Sequence, residues 1–344
     1  MWIFATSAYS DPEPIRSFLR LASHGRRHRL TANANEADAI LFVENSRYHE
    51  DAFFSRLKRH PLLKHHRERC FMYNEHDRPW CLLPGVYCSM PRRWFDRTRQ
   101  SATRYLRLLN PVDTSPSDVP DILFSFLGNS QIPVRKEILQ LQNPRAIIED
   151  TSLFNPFFAQ KHTNNHVRYA DVLRRSKFVL CPRGSGTSSI RLFETLRAGR
   201  VPIIISDQWV PPEGPNWSTC ALRVRERNVA DIPNLASDIE HRWSEMAEAA
   251  RQVWKDWFSD EVLFDRFGDA LSAISEKRVI PEFVAQRIPS IPEWDWRLRR
   301  GFNHMGSRLR WGVGGHTRTI SQAATKSPCH GRLERLEPNE RNVQ

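Results

Sequence analysis

The chain has 344 residues, 40% of them hydrophobic, and its 51 Lys and Arg against 39 Asp and Glu leave a formal net charge of +12, which indicates an anionic partner without naming it. No run of about 18 apolar residues occurs, which excludes a transmembrane helix, and the first residues do not predict a signal peptide. The six cysteines show no CxxC spacing, so we expect reduced thiols, a cytoplasmic location and no zinc site.

The first part of the chain alternates short apolar runs with helical patterns, which is typical of α/β domains. Three buried parallel strands are predicted from continuous apolar runs, at residues 2–5, 38–43 and 70–73. A first helix is predicted to begin near Asp11, and Phe54 and Leu57 indicate a second.

Residues 110–120 contain three prolines and several turn formers, which indicates a linker. After it the alternation restarts, with strands predicted at 122–127, 177–181 and 201–205 and with helices from 133 and at 166–175, 189–198, 233–258 and 260–276. We therefore predict two α/β domains at 1–115 and 119–280, followed by a return segment at 281–302 and a basic tail at 303–344.

The positive charge is concentrated towards the end of the sequence. Residues 287–344 carry eleven Lys and Arg against five Asp and Glu, about half of the net charge. Their composition predicts a disordered tail. Two roles are open for it: contact with an anionic membrane surface, where lipid-linked acceptors would lie, or binding of nucleic acid or another polyanion. Because no known nucleic-acid-binding motif occurs, a polyanion-binding protein without catalysis is the alternative function.

The densest chemical signal lies at residues 176–207, where the pattern is strand, Gly-rich loop, helix, glycine and strand. Gly184 and Gly186 allow the backbone to approach a ligand closely. Four hydroxyl side chains stand where the helix begins: Ser185, Thr187, Ser188 and Ser189. Because a helix N-terminus attracts anions, the loop predicts an anion site with Arg183 and Arg191 beside it.

Glu194 lies three residues after Arg191, on the same face of the predicted helix. The pattern fits a diphosphate at the helix start and a carboxylate that accepts a ribose hydroxyl. The alternative is an ordinary turn followed by a surface ion pair between Arg191 and Glu194. The loop is not a Walker P-loop, since no Gly-Lys-[Ser/Thr] follows, and it lacks the third glycine of a dinucleotide-binding fingerprint.

This stretch resembles the exostosin domain of family 47 glycosyltransferases, in the form found in bacterial members. The family's C-terminal pattern is matched at eleven positions: Ser176, Phe178, Leu180, Pro182, Gly184, Ser189, Arg191, Glu194, Gly199, Val201 and Pro202. Two further stretches agree with it, residues 123–135 and 70–87. The resemblance covers roughly residues 38–245.

The resemblance implies a GT-B fold, in which two Rossmann-like domains face each other across a cleft. It implies transfer of a hexose or pentose from a nucleotide-sugar to a glycan or other hydroxyl acceptor, with inversion and in polysaccharide or glycoconjugate synthesis. A UDP-linked donor is expected. No metal is expected, since arginines and helix termini neutralise the departing diphosphate. By this analogy Arg135, Arg183 and Arg191, with the backbone from Gly184 to Ser189, bind the diphosphate, and Glu194 binds the donor ribose.

An inverting transfer also needs a base for the proton of the acceptor hydroxyl. We expect it near a strand end of the N-terminal domain, where Glu44 follows one predicted strand and residues 75–77 follow another. Glu75 and Asp77 are preferred over Glu44 and His76. The alternative is that Asn74 to Asp77 form an ordinary turn, with Asp77 paired to a nearby arginine.

Overall fold

The computed structural model describes residues 1–9, 12–44, 51, 54–77, 79–110, 112–114, 119–153 and 163–285. The predicted tail at 303–344, and the predicted return segment from residue 286 onward, lie outside these ranges. So does the middle of the predicted linker, at residues 115–118.

The first half of the chain forms a parallel sheet of six strands in the order β2-β1-β3-β4-β5-β6. The strands are β1 (Trp2–Thr6), β2 (Arg29–Leu30), β3 (Ala39–Glu44), β4 (Cys70–Asn74), β5 (Gly85–Tyr87) and β6 (Gln100–Ala102). Every residue of β3 and β4 is buried, as expected for central strands covered on both faces.

The second half forms a parallel sheet of five strands in the order β11-β10-β9-β7-β8. The strands are β7 (Ile122–Gly128), β8 (Ala146–Asp150), β9 (Ser176–Pro182), β10 (Val201–Ile205) and β11 (Leu222–Val224). Both sheets belong to one compact unit of the chain.

Helices connect the strands and cover the sheets, as parallel pairing requires. They are α1 (Pro12–Ala22), α2 (Ser55–Lys58), α3 (Pro61–His65), α4 (Pro133–Ile138), α5 (Thr163–Arg175), α6 (Ile190–Arg197), α7 (Trp217–Cys220), α8 (Ile232–Asp238), α9 (Trp243–Val253), α10 (Asp260–Lys277) and α11 (Glu282–Ala285). Gly199 adopts φ +56° just after α6, a left-handed conformation that ends the helix at little steric cost.

The predicted α/β class with two Rossmann-like sheets, the GT-B architecture, is confirmed. The six predicted strands correspond to β1, β3, β4, β7, β9 and β10. The prediction missed β2, β5, β6, β8 and β11, which are two to five residues long and carry no long apolar run. The single helix predicted at 233–258 is divided into α8, α9 and the π-helical turn Trp254–Phe258.

The last long helix returns to the first sheet. On α10, the rings of Phe264 and Phe267 pack against Phe18 of α1 at centroid distances of 5.6 and 5.4 Å. Arg104, which follows β6 and is 1% exposed, donates from Nε to the Phe258 carbonyl at 2.6 Å. Contact with the first half of the chain therefore begins in α10, and it continues into the predicted return segment at 281–302, where Glu282 pairs with Arg99 at 2.6 Å.

Candidate functional site

A cleft of about 830 Å³ opens at the carboxyl ends of the strands, and residues from both sheets line it. This edge is where α/β proteins collect their ligands. Nine of the eleven predicted site residues line the cleft: Glu75, Asp77, Arg135, Gly184, Ser185, Ser188, Ser189, Arg191 and Glu194. The other two, Arg183 and Gly186, belong to the same loop after β9.

Two arginines of the second sheet's connections meet in this cleft. Arg135, on α4, donates from Nε to the Arg183 carbonyl at 3.0 Å and from Nη1 to Asn129 Oδ1 at 3.1 Å. Arg191, at the start of α6, donates to the Leu127 carbonyl, and its guanidinium carbon lies 4.8 Å from the centre of the Phe126 ring. These contacts fix both side chains through backbone, amide and ring groups.

The positive charges of this pair are only partly compensated, by the carboxylate of Asp77 acting on Arg135. Burial, followed by the neighbouring charge of Arg191, lowers the pKa of Arg135 to about 10. Among the described residues, neither guanidinium forms an ion pair with a carboxylate. Two like charges held together in a partly buried place favour a bound anion, because an anion relieves both the repulsion and the burial penalty.

The start of α6 adds polar groups to the same place. Ser189 occupies the N-cap position, but its side chain makes no capping hydrogen bond, contrary to what a hydroxyl-rich helix start suggests. The hydroxyl of Ser188, which is 4% exposed and lines the cleft, has no partner among the described groups. Nε of Arg191 is likewise buried and unpartnered there. Buried polar atoms of this kind call for an explanation, and a ligand in the cleft would supply it.

Glu194 lies on the predicted helix and lines the cleft, but protein groups contact its carboxylate. It is 2% exposed, and burial raises its pKa. Its Oε1 accepts the Asn110 N–H at 2.6 Å and its Oε2 accepts the Tyr169 hydroxyl at 2.7 Å. Both carboxylate oxygens are thus engaged by protein groups. The alternative, a surface ion pair between Arg191 and Glu194, does not form among the described residues, since Glu194 is buried and accepts hydrogen bonds from Asn110 and Tyr169.

The guanidinium of Arg183 does not line the cleft, in contrast to the prediction. Its Nε donates to both carboxylate oxygens of Glu226 at 2.9 Å, and Nη1 donates to the Gly184 carbonyl at 3.2 Å. Only the backbone carbonyl of Arg183 serves the site, because it holds Arg135. The physical reason is that Glu226, at the end of β11, offers a carboxylate that the local sequence motif does not contain.

The first sheet contributes carboxylates to the cleft. Glu75 and Asp77 follow β4 and both line it, as does His76. Glu75 is half-buried and accepts the Tyr73 hydroxyl at 2.9 Å. Asp77 is exposed and lies against the Gly-rich loop, since a Cβ placed on Gly186 would come within 2.7 Å of its Oδ1.

Glu44, the other carboxylate considered for the base, is fully buried and does not line the cleft. It accepts the Ala8 N–H at 2.8 Å and the Ser7 hydroxyl at 3.0 Å. Burial raises its pKa to about 7. This carboxyl group joins the ends of β1 and β3 and has no access to an acceptor in the cleft.

Sequence reasoning missed several residues that complete the cleft. Asn110 and Tyr169 hold Glu194, while Glu149 and Arg168 pair with each other at 2.5 Å on the cleft lining. Glu149 is the last residue but one of β8, a strand that the sequence did not predict. Tyr169 and Arg168 lie on the predicted helix 166–175, but its periodicity carries no signal for which polar side chain faces a ligand.

The part of the chain that the structure describes contains neither a cluster of metal ligands nor a membrane-spanning helix. There, His, Cys, Asp and Glu form no group of three or more that could hold a metal ion. No helix among these residues is long and apolar enough to cross a membrane. The five described cysteines are free thiols: Cys70, Cys81, Cys88, Cys181 and Cys220.

These features define an α/β protein whose two parallel sheets share a cleft, with Arg135 and Arg191 on one wall of it. The model of the exostosin GT47 domain matches residues 22–239, and the chain belongs to this family. Among curated relatives, an exostosin-1 homolog of Caenorhabditis elegans is 43% identical over 89 residues, 25% of this chain and 23% of that protein. A probable glycosyltransferase of Arabidopsis thaliana is 35% identical over 123 residues, 35% of this chain and 21% of that protein. The matches thus span less than a quarter of these relatives.

Similarity to solved structures is more distant. A glycosyltransferase from Rickettsia africae aligns with a TM-score of 0.41 and 10% identity, covering 79% of this chain and 98% of that one. Anabaena HepE in complex with UDP aligns with a TM-score of 0.37 and 12% identity, covering 79% and 99% of the two chains.

Proposed function

We propose that this protein is a glycosyltransferase that takes a sugar from a nucleotide-sugar and transfers it to a hydroxyl acceptor. The observation that carries the proposal is the pair of guanidinium groups without ion pairs, Arg135 and Arg191, beside the start of α6 in the cleft. A diphosphate carries the negative charge that would compensate such a pair of cations. Membership of the exostosin GT47 family and a relative named as a probable glycosyltransferase support the same activity.

In this reaction the acceptor oxygen attacks the anomeric carbon as the bond from that carbon to the diphosphate oxygen breaks. The electron pair leaves with the nucleoside diphosphate, so negative charge grows on the phosphate oxygens. Arg135, Arg191 and the N–H groups at the start of α6 are placed to stabilise it, which is electrostatic catalysis by preorganised charges. These groups already supply positive charge, so the proposal includes no metal.

The proton of the acceptor hydroxyl passes to a carboxylate of the first sheet, and attack from that side inverts the anomeric centre. Asp77 is the first candidate, since it is exposed in the cleft and touches the Gly-rich loop at Gly186. Glu75 is the second, because the Tyr73 hydroxyl already occupies one of its oxygens. A base in this role typically contributes 10²- to 10⁴-fold, about 3–5 kcal/mol.

The finer parts of the proposal come from the sequence: the donor, the acceptor and the kind of synthesis from its resemblance to the family, the location and membrane contact from its cysteines and basic tail. They are a UDP-linked donor, an acceptor that is a glycan or a lipid-linked glycan, a place in polysaccharide or glycoconjugate synthesis, and a cytoplasmic location with peripheral contact to an anionic membrane. The predicted domain limits, 1–115 for the acceptor side and 119–280 for the donor side, belong with them.

Binding of UDP, measured by titration calorimetry, tests the proposal. We expect the wild type to bind UDP and Arg191→Ala to show no measurable binding. Arg242→Ala is the matched control, because Arg242 is a half-exposed arginine outside the cleft, and it should bind as the wild type does. Equal UDP affinity in the wild type and Arg191→Ala contradicts the assignment.

A further inference from the structure

Exposed apolar side chains are concentrated where α10 ends and α11 begins. Among the described residues eight large apolar side chains are exposed, and three of them fall within five positions: Val279 at 88%, Ile280 at 50% and Phe283 at 47%. Single exposed apolar residues are ordinary on a protein surface, whereas a group of them marks an interaction site. These three residues are called the apolar patch below.

The fold holds the apolar patch in place from both sides. Arg278, just before it, donates from Nη1 to the Glu68 carbonyl at 2.5 Å and pairs with the Glu68 carboxylate at 3.2 Å. The same carboxylate accepts the N–H groups of Glu282 and Phe283 at 2.9 and 3.2 Å. Glu282 is itself buried and pairs with Arg99 at 2.6 Å. The patch therefore lies on a turn that two ion pairs fix against the first half of the chain.

The surface beside the apolar patch is basic. Glu68 belongs to the short turn Arg67–Arg69, which contacts α11 and follows directly on α2 and α3. Residues 55–69, called the basic segment below, carry six Lys and Arg against one Glu. Three of these cations are exposed and form no ion pair among the described residues: Arg56, Arg59 and Lys64. Residues 276–285, which contain the patch, hold two acids and two cations and leave this excess of positive charge unchanged.

Apolar side chains next to unpaired cations match the chemistry of an anionic lipid membrane. Lys and Arg are attracted to the negative headgroups, and apolar side chains are stabilised at the boundary between headgroups and acyl chains. A nucleic acid would attract the same cations but would leave the apolar patch in water. We propose that the apolar patch and the basic segment together form a peripheral docking site for an anionic lipid surface. This places a membrane contact on the folded part of the chain, separate from the basic tail.

The position of the docking site leaves the cleft open. The turn Arg67–Arg69 precedes β4, whereas Glu75 and Asp77 follow the carboxyl end of the same strand. The five residues of β4 span about 17 Å, so the cleft opens about one strand length away from a membrane bound at the other end. Because the site uses no residue that lines the cleft, membrane docking and donor binding can be measured separately.

Co-sedimentation of the full chain with lipid vesicles tests the inference. We expect the wild type to bind vesicles of phosphatidylglycerol and phosphatidylcholine at least tenfold more strongly than vesicles of phosphatidylcholine alone. Val279→Asp should weaken binding to the anionic vesicles at least tenfold, because it replaces an apolar side chain with one that the headgroups repel. Lys64→Gln should weaken it about fivefold. Leu153→Asp is the matched control, since Leu153 is fully exposed and follows β8 in the other sheet, and it should bind as the wild type does.

Three results would overturn the docking site: a wild type that binds neither kind of vesicle, a Val279→Asp protein that binds anionic vesicles as the wild type does, and an equal loss in Leu153→Asp. Size-exclusion chromatography adds a fourth, a wild-type dimer that Val279→Asp dissociates, which would assign the apolar patch to a contact between two copies. UDP affinity should be the same in all these proteins. A wild type that fails to bind UDP contradicts the proposed function and leaves the vesicle result to decide the docking site. Melting curves identify any loss that comes from unfolding.

Discussion

The two walls of the cleft differ in charge and in the way the chain builds them. The wall from the second sheet carries Arg135 and Arg191, which form no ion pairs among the described residues, together with the start of α6. The wall from the first sheet carries Glu75 and Asp77. A cationic wall suits phosphate, and a wall of carboxylates suits a neutral hydroxyl that must lose a proton. The division of charge thus suggests which half handles the donor and which the acceptor.

The walls also touch each other directly. The Thr187 hydroxyl, in the Gly-rich loop, donates to the Ser89 carbonyl at 3.0 Å, and the Arg92 N–H donates to the Gln208 carbonyl at 2.8 Å. The wall with Glu75 and Asp77, the carboxylate wall, is therefore held close to the wall with Arg135 and Arg191, the phosphate wall. Substitutions in the two walls should have different consequences, since the phosphate wall governs donor binding and the carboxylate wall governs turnover.

The largest expected effect comes from the carboxylate wall. Asp77→Asn should lower kcat at least 100-fold with UDP affinity within about twofold of the wild type, because the amide cannot take the acceptor proton. Glu75→Gln should lose about tenfold or less, since Tyr73 already engages it. Turnover is followed as UDP release from a panel of nucleotide-sugars. An Asp77→Asn enzyme with full turnover removes Asp77 as the base, and a 100-fold loss in Glu75→Gln transfers the role to Glu75.

A smaller effect, on stability, distinguishes the buried carboxyl group of Glu44 from the carboxylates that line the cleft. The pKa of Glu44 is raised to about 7 by burial, above its value in the unfolded chain. A raised pKa stabilises the fold while the group is protonated, and that stability is lost as the pH rises through about 7. From about pH 5 to about pH 8, the free energy of unfolding should fall by about 2–3 kcal/mol more in the wild type than in Glu44→Gln.

Urea unfolding at several pH values measures this difference. Glutamine at position 44 can still accept the Ala8 N–H and donate to the Ser7 hydroxyl, so the variant tests the charge with both contacts kept. Parallel pH profiles for the two proteins contradict the assignment. A collapse of turnover in Glu44→Gln would instead return Glu44 to the list of bases.

The contact between the walls can be tested with two glycines of one loop. A Cβ on Gly186 would lie 2.7 Å from Asp77 Oδ1 and 2.9 Å from the Asp77 Cα, so Gly186→Ala forces the walls apart. A Cβ on Gly184 would meet only Arg135 Nη2, at 3.4 Å, an ordinary contact. We expect Gly186→Ala to lose about 1–3 kcal/mol of stability and to lower kcat, with Gly184→Ala close to the wild type. Thermal melting and UDP release check both; equal behaviour of the two variants argues against the contact.

The sequence predicted more of the phosphate wall than of the carboxylate wall, and the reason is physical. The phosphate wall is built around one strand-loop-helix unit, residues 176–207, so local pattern located its glycines, serines and Arg191. The carboxylate wall, and the cleft residues that the sequence missed, come from segments far apart in the chain. Only tertiary packing decides which of these residues face the cleft. For this reason the sequence placed Glu75 and Asp77 beside Glu44 as candidates, whereas burial separates them.

The same limit explains why the sequence did not predict the protein contacts of Glu194. Glu194 was placed on the correct helix, but its donors come from Asn110 and from Tyr169 on another helix, contacts of long sequence separation. Strong apolar runs predicted the central strands because burial on both faces requires them. The edge strand β8 is only half-buried and lacks that signal, so the sequence predicted neither β8 nor its residue Glu149.

The smallest expected effect tests the arginine that the local motif placed in the phosphate wall. Arg183→Gln should change UDP affinity by less than about twofold, because its guanidinium binds Glu226 and only its backbone carbonyl, which the substitution keeps, holds Arg135. The lost ion pair should lower stability by about 1 kcal/mol. Arg135→Gln is the contrast and should weaken UDP binding at least tenfold, since it removes one of the two cleft guanidinium groups that form no ion pair among the described residues. Calorimetry on the pair decides between them: equal losses would mean that Arg183 leaves Glu226 to reach the phosphates when the donor binds.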